Sequence, residues 1–150
     1  MTAHDPQAPH TLTPNLVVDG GLEALEFYER AFGAEVVSRL EMDGQLMHAE
    51  LRVGNSGFTV SDEFADQGFV APEEGRVNVS LSLWVEDCDA VHARAVEAGA
   101  TGTSAPADKF HGDRVGTIRC PFGHRWLIGT RIRDMSQEEM QKAMEDGLGG

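Results

Sequence analysis

The sequence predicts an α+β fold made of two copies of one module, each a strand, a helix and three further strands. Three observations point to it. Alternating apolar and polar residues, the period of a half-buried strand, recur in short runs bounded by turn residues. Two amphipathic stretches with helical spacing each end at a glycine, Gly33 and Gly99. The run Val18-Asp19 to Gly33 in the first half is matched by Val85-Glu86-Asp87 to Gly99 in the second, an internal repeat. At 150 residues and 41% hydrophobic, the chain suits one domain or two small fused halves sharing a core.

In the first half, Leu12 to Val18 alternates, with Leu12, Leu16 and Val18 on the face to be buried and Thr13 and Asn15 on the other. Asp19-Gly20-Gly21 breaks the strand, and the Asp19 carboxylate is placed to cap the next helix by accepting free amide hydrogens of its first turn. That helix, Leu22 to Phe32, has a broad stripe of Leu22, Leu25, Phe27, Tyr28, Ala31 and Phe32, with Glu23, Glu26, Glu29 and Arg30 outside. Val36 to Met42 ends at Asp43-Gly44, a strong hairpin signal. In the strand that follows, Met47, Ala49, Leu51 and Val53 share one face and His48, Glu50 and Arg52 the other. Gly54 to Gly57 turns the chain into a strand at Phe58 to Ser61, and the acidic stretch Asp62 to Gly75 reads as a connecting loop.

The second half repeats the order. Val79, Leu81, Leu83 and Val85 alternate with Ser80, Ser82, Trp84 and Glu86. Asp87 and Asp89 open a helix with Val91, Ala95 and Ala98 on its apolar stripe. Thr101 to Ser104 is a short strand and Ala105 to Phe110 a loop. Val115 to Arg119 and Arg125 to Arg131 form a hairpin around Pro-Phe-Gly-His. Ser136-x-x-Glu139 is a capping box for a short helix, Gln137 to Asp146, that carries Met140 and Met144 on one side. The chain thus divides into a loose tail at 1–10, a paired-module domain at 11–131, with repeats near 11–63 and 77–131, and a C-terminal helix and tail at 132–150.

The formal charge of −13 excludes nucleic acid and anionic membrane surfaces as expected partners, since a polyanion would be repelled. No apolar run is long enough to span a bilayer, and Met1 to His10 lacks the layout of a signal peptide. Cys88 and Cys120, the only cysteines, read as reduced thiols, which predicts a cytoplasmic protein.

Each helix covers one face of a small sheet. The other face carries Thr13, Asn15, His48, Glu50, Ser80, Ser82 and Trp84, a polar and aromatic set unsuited to a dry core. Two curved sheets facing each other would enclose a cleft lined by this set, with His111, Asp113, Arg114, His124 and Trp126 added from the hairpin. His48 and Glu50 offer imidazole and carboxylate to a divalent ion, together with His111 or His124; the competing reading is a solvent-facing pair. Asp113 and Arg114 suit either an anionic ligand or an ion pair that fixes the loop. His124 is a candidate general base or a turn histidine bonded to backbone. Trp84 and Trp126 are a candidate platform for a flat ligand or the edge of a packed core. Cys120 has no base beside it, so a nucleophilic role is disfavoured.

The motifs LTPNLVVDG, Glu26-Phe27-Tyr28, Phe32-Gly33, MHAELRVG, Val60-Ser61-Asp62-Glu63, HGDRVG, CPFGHRW and DMSQEEM, spread over residues 11–145, carry a resemblance. The chain resembles the vicinal-oxygen-chelate superfamily of glyoxalase I, extradiol dioxygenases and bleomycin-resistance proteins, and within it the PhnB-like branch. The resemblance implies a glyoxalase-like fold: paired βαβββ modules forming a curved mixed sheet with a small-molecule cleft, assembled as a homodimer. Its chelating members hold a divalent metal with His, Glu or Gln from the first and last strands of each half. The corresponding positions here fall near Thr11/Thr13, Ser61, Ser80 and Leu127, none of which offers imidazole or carboxylate. His111 stands where the branch more often has tryptophan. The expectation is therefore a small-molecule binder of sequestering or resistance type, with no metal in the usual four-ligand site. The alternatives are a metal-dependent lyase or dioxygenase-like enzyme with nonstandard ligands such as His48 and Glu50, and a dimeric scaffold without ligand chemistry.

Overall fold

The computed structural model describes residues 11–149, arranged in two compact units; the expected tail at 1–10 lies outside the described residues. The first unit runs to Val77 and takes in Pro121–Gly123; the second holds Asn78–Cys120 and the chain from His124 onward. The first unit contains β1 (Asn15–Val18), α1 (Gly21–Phe32), β2 (Glu35–Met42), β3 (Gln45–Val53) and β4 (Ser56–Asp62). The second contains β5 (Ser80–Trp84), α2 (Cys88–Glu97), β6 (Thr101–Asp108), β7 (Asp113–Arg119), β8 (Arg125–Arg131) and α3 (Gln137–Gly149). The two sheets have the same order, β1-β4-β3-β2 and β5-β8-β7-β6, with the first strand parallel to the last and every other pair antiparallel. The internal repeat therefore holds at the level of strand pairing. No described helix is long and apolar enough to cross a membrane.

In the first unit, Ala24, Leu25, Phe27, Tyr28 and Ala31 of α1 are buried, as are Leu16, Val18, Ala49, Leu51, Phe58 and Val60 of the sheet. The Tyr28 ring meets Phe58 edge-on at 5.4 Å. Gly33 takes a left-handed conformation at the end of α1, its own N–H reaching the Glu29 carbonyl and that of Ala34 the Tyr28 carbonyl. In the second unit, Cys88 and Ala95 of α2 are buried, as are Val115, Ile118, Trp126 and Ile128. The His92 ring lies so close over β7 that a Cβ on Gly116 would come within 2.9 Å of it.

Several elements depart from the pattern read in the sequence. Leu12 is 89% exposed, because β1 begins only after Pro14, which has no N–H to give a sheet. Asp19 does not cap α1: the residue before the helix is Gly20, and no side chain of that segment bonds to the first turn. Asp62, at the end of β4, does so instead. Its Oδ1 accepts from the N–H groups of Gly20 and Gly21 at 3.2 and 2.7 Å, and its Oδ2 from that of Leu46 at 2.7 Å. The second helix does carry its local cap, with Asp87 accepting from the Ala90 N–H at 3.1 Å, and it closes at Gly99 (φ 123°) as expected, the Gly99 N–H reaching the Val96 carbonyl and that of Ala100 the Ala95 carbonyl, each at 3.0 Å. β6 runs on through Pro106, which an edge strand with register shifts tolerates. The capping box forms in both directions, the Ser136 N–H to Glu139 Oε1 and the Glu139 N–H to Ser136 Oγ, each at 3.1 Å.

The period-2 reading of β3 also breaks once. Leu40 pairs with His48, but Glu41 pairs with Leu46, so Met47 is an extra residue in the ladder. Leu46 therefore turns into the core with Ala49 and Leu51, and Met47 does not join them.

Candidate functional site

The first unit contains a pocket of about 480 Å³ lined by Asn15, Met47, His48, Thr59, Ser61, Phe64, Gln67 and Phe69. Its floor is the sheet face away from α1. Asn15 and Thr59 are direct partners in the β1–β4 ladder, and the Thr59 hydroxyl donates to Asn15 Oδ1 at 2.6 Å. Two residues on, Ser61 follows on the same face. The bulge at Met47 brings a thioether to the pocket next to the His48 imidazole.

The other lining residues come from the segment after β4. The N–H of Phe64 reaches the Phe69 carbonyl at 2.8 Å and that of Phe69 the Phe64 carbonyl at 3.1 Å. A 3-10 turn at Ala65–Gln67 fills the space between, closed by Gly68 at φ 87°. This closed strap puts Phe64, Gln67 and Phe69 on the pocket. The stretch read as a plain acidic loop is thus part of the site. Two phenylalanines five residues apart, with a glycine just ahead of the second, were the available signal.

None of the eight lining residues is Asp, Glu, Lys or Arg. The lining offers amides, hydroxyls and one imidazole for hydrogen bonds, and two aromatic rings and a thioether for a flat apolar body. Of the four residues expected here, Asn15 and His48 line the pocket. Thr13 is half-buried just ahead of β1. Glu50 is engaged by Arg52 at 3.2 Å, so the carboxylate paired with His48 in the metal reading is held by a guanidinium instead.

The expected residues of the second unit fall into separate groups. Ser80, Ser82 and Trp84 share the sheet face away from α2, as their alternation predicted. Trp84 is 54% exposed, lies over Gly129 of the neighbouring strand and has the Arg131 guanidinium carbon 5.8 Å from its ring centroid. A Cβ on Gly129 would come within 2.9 Å of the indole, so only glycine leaves room for the ring. Trp126 is 5% exposed and pairs with Leu81 and Ile118 on the helix side. The two indoles are on opposite faces of one sheet and form no common platform.

Asp113 and Arg114 are likewise separated, because neighbours along a strand point to opposite faces. The Asp113 side chain, 9% exposed, accepts from Arg131 Nε and lies 3.0 Å from His111 Nδ1. Arg114 reaches Asp89 at 2.7 and 3.0 Å and Asp108 at 2.9 Å; these bonds hold the Asp89 carboxyl below its ordinary range and raise the guanidinium further. The expected Asp113–Arg114 pair is thus two ion-pair networks that do not meet. His124 follows the turn, and its backbone carbonyl accepts from the Cys120 N–H at 2.9 Å. Its buried Nδ1 has no hydrogen-bond partner among the described residues, and burial lowers its pKa.

The described residues contain no group of three or more His, Cys, Asp or Glu side chains arranged to hold a metal ion. Near the positions that the resemblance makes candidate ligands, Thr11/Thr13, Ser61 and Ser80 offer hydroxyls and Leu127 an alkyl group. That donor set does not fit a zinc or iron centre.

The family model described as the Glyoxalase/Bleomycin resistance protein/Dioxygenase superfamily matches residues 7–128. A Mycobacterium bovis protein, uncharacterized protein Mb0911c, is 39% identical over 140 residues, covering 89% of this chain and 91% of its own. The X-ray structure of the Arabidopsis thaliana At5g48480 product superposes with a TM-score of 0.65 at 28% identity, covering 79% of this chain and 97% of the other. TioX from Micromonospora sp. ML1 shares the fold at a TM-score of 0.67 and 24% identity, over 81% of this chain and 98% of its own.

Proposed function

Because the chain belongs to the glyoxalase/bleomycin resistance protein/dioxygenase superfamily, we propose that it is a small-molecule-binding protein whose ligand occupies the pocket of the first unit. The observation that carries this is the lining: aromatic and thioether surface with amides, hydroxyls and an imidazole, and no formal charge. Such a site selects an uncharged, planar, partly polar ligand, held by stacking and a few hydrogen bonds. The action is binding, of sequestering or resistance type, and no step is routed through a metal, since the donor set does not fit one. On the motifs CPFGHRW and HGDRVG we assign the chain to the PhnB-like branch of the superfamily.

We further propose a homodimer in the cytoplasm, with neither nucleic acid nor membrane as partner. The charge of −13 and two buried thiols support this, as does a β2 edge strand with Leu40 and Met42 exposed. Light scattering that gives only a 16.3 kDa species at micromolar concentration would overturn the dimer.

The binding reading is tested by thermal shift against a panel of neutral bicyclic aromatic compounds, since a ligand of the native state raises the melting temperature. Hits should lose affinity at least tenfold in Phe69→Ala and in Asn15→Ala. A panel without hits, or hits that bind both variants as well as the parent, would refute it.

A further inference from the structure

The second unit holds a charge arrangement that the first unit's pocket does not use. Arg119 of β7 and Arg125 of β8 are direct partners in an antiparallel ladder. Side chains so paired are on one face about 4.5–5.5 Å apart at Cβ, and like charges there repel. The chain carries 25 acidic residues against 12 basic ones, so carboxylates are not scarce. The other arginines within strands each have one: Arg39 with Glu41 at 3.1 Å, Arg52 with Glu50 at 3.2 Å, Arg114 with Asp89 at 2.7 Å, and Arg131 with Asp113. Neither Arg119 nor Arg125 has a carboxylate partner among the described residues. Arg125 instead donates from Nε to the neutral Ser80 hydroxyl at 2.7 Å. That bond fixes the guanidinium and leaves its two terminal nitrogens without a partner among the described residues, while the Ser80 hydroxyl keeps a hydrogen to donate.

We propose that Arg119, Arg125 and Ser80 form a binding site for an oxyanion, the phosphate or carboxylate group of a small molecule. A guanidinium presents paired N–H donors in a rigid fork that matches two oxygens of such a group. A second guanidinium directly opposite adds charge without a competing internal carboxylate. The bound anion supplies the counter-charge that the chain withholds from this pair alone among its strand arginines.

The test is an NMR titration of the full chain with inorganic phosphate and, separately, sodium acetate, at ionic strength held constant with sodium chloride. At least one of the two should give saturable shifts of the Ser80, Arg119 and Arg125 amides. Arg125→Gln and Arg119→Gln should each weaken that binding at least tenfold, and without ligand each should melt no lower than the parent, because repulsion is relieved. Saturation by phosphate alone identifies a phosphate ester as the ligand class, and saturation by acetate alone a carboxylate; either supports the site. Shifts that match the chloride control, affinity unchanged in both variants, or a melting temperature lowered by several degrees in the ligand-free variants would each overturn it.

Discussion

Replacing Asp62 with alanine is expected to be among the most damaging single changes in the first unit, although Asp62 is only partly buried. Its carboxylate accepts from three backbone N–H groups belonging to two elements that are distant in sequence: Gly20 and Gly21 at the start of α1, and Leu46 near the start of β3. Gly21 and Leu46 are buried, so water does not readily replace the carboxylate at those two amides. A hydrogen bond to a charged group is worth about 1.5–3 kcal/mol, and a buried donor left bare costs a similar amount. Taking the low end for the three bonds, and allowing for water reaching part of the site, Asp62→Ala should cost about 3–4 kcal/mol. For a chain of this size that lowers the melting temperature by roughly 10 °C. Asp62→Asn separates charge from geometry. Its single amide oxygen can serve the two glycines, but the NH₂ then faces the Leu46 N–H, donor against donor. Roughly half the alanine loss is expected. Urea unfolding should show both as lower midpoints at an unchanged slope. A loss below about 1 kcal/mol for Asp62→Ala would show that these bonds are no better than bonds to water.

Three further outcomes follow from geometry already described. Gly129→Ala should push the indole off β8, moving the Trp84 side-chain N–H resonance and costing about 1–3 kcal/mol; an unmoved resonance would show that the ring has room to spare. Burial holds the His124 imidazole below the ordinary 6.5, so protonation opposes folding: its contribution is complete above about pH 6.5 and is lost as pH falls through 6.5 toward the lowered value. His124→Asn should flatten the acid limb of stability against pH, and superimposable limbs would refute the assignment. Leu25→Ala removes a side chain only 1% exposed and should cost about 2–5 kcal/mol; a loss under about 1 kcal/mol would mean that α1 presents another face to its sheet.

The repeat was legible because its signals are local. Asp43-Gly44 makes a hairpin turn with both residues at positive φ, Gly33 caps α1, and the Ser136/Glu139 box needs only residues three apart. The face holding Asn15 and His48 was legible for the same reason, since alternation is a property of neighbours. The remaining features have other causes. The true cap of α1 lies 41 residues beyond Gly21, and no local pattern links an aspartate ending one strand to a helix opened much earlier. The platform of two tryptophans failed on parity: Trp84 and Trp126 lie on different strands, and only the register decides which faces coincide. Asp113 and Arg114 were joined because they are adjacent, though adjacency in a strand separates side chains. Three of the eight lining residues lie in a strap whose backbone bonds, Phe64 to Phe69, leave little trace in composition.

The bulge at Met47 has a counterpart. Val36 pairs with Leu51 and Ser38 with Glu50, so Val37 is an extra residue on β2, as Met47 is on β3. One strand gains a residue and, a few pairs later, the other gains one back. The register is therefore the same at the hairpin turn, Met42 with Gln45, as at the far end, Glu35 with Arg52. Between the two slips sits an independent cassette of three pairs, Ser38–Glu50, Arg39–Ala49 and Leu40–His48. Deleting Met47 removes a side chain from the pocket and leaves every other pairing of the hairpin intact; deleting Val37 likewise leaves the pairs intact but takes nothing from the pocket lining. Chain length here can change by one residue without the frame shift that such a change imposes elsewhere in a sheet. Selectivity in this half of the molecule can thus drift by insertion and deletion while the core beneath it keeps its partners.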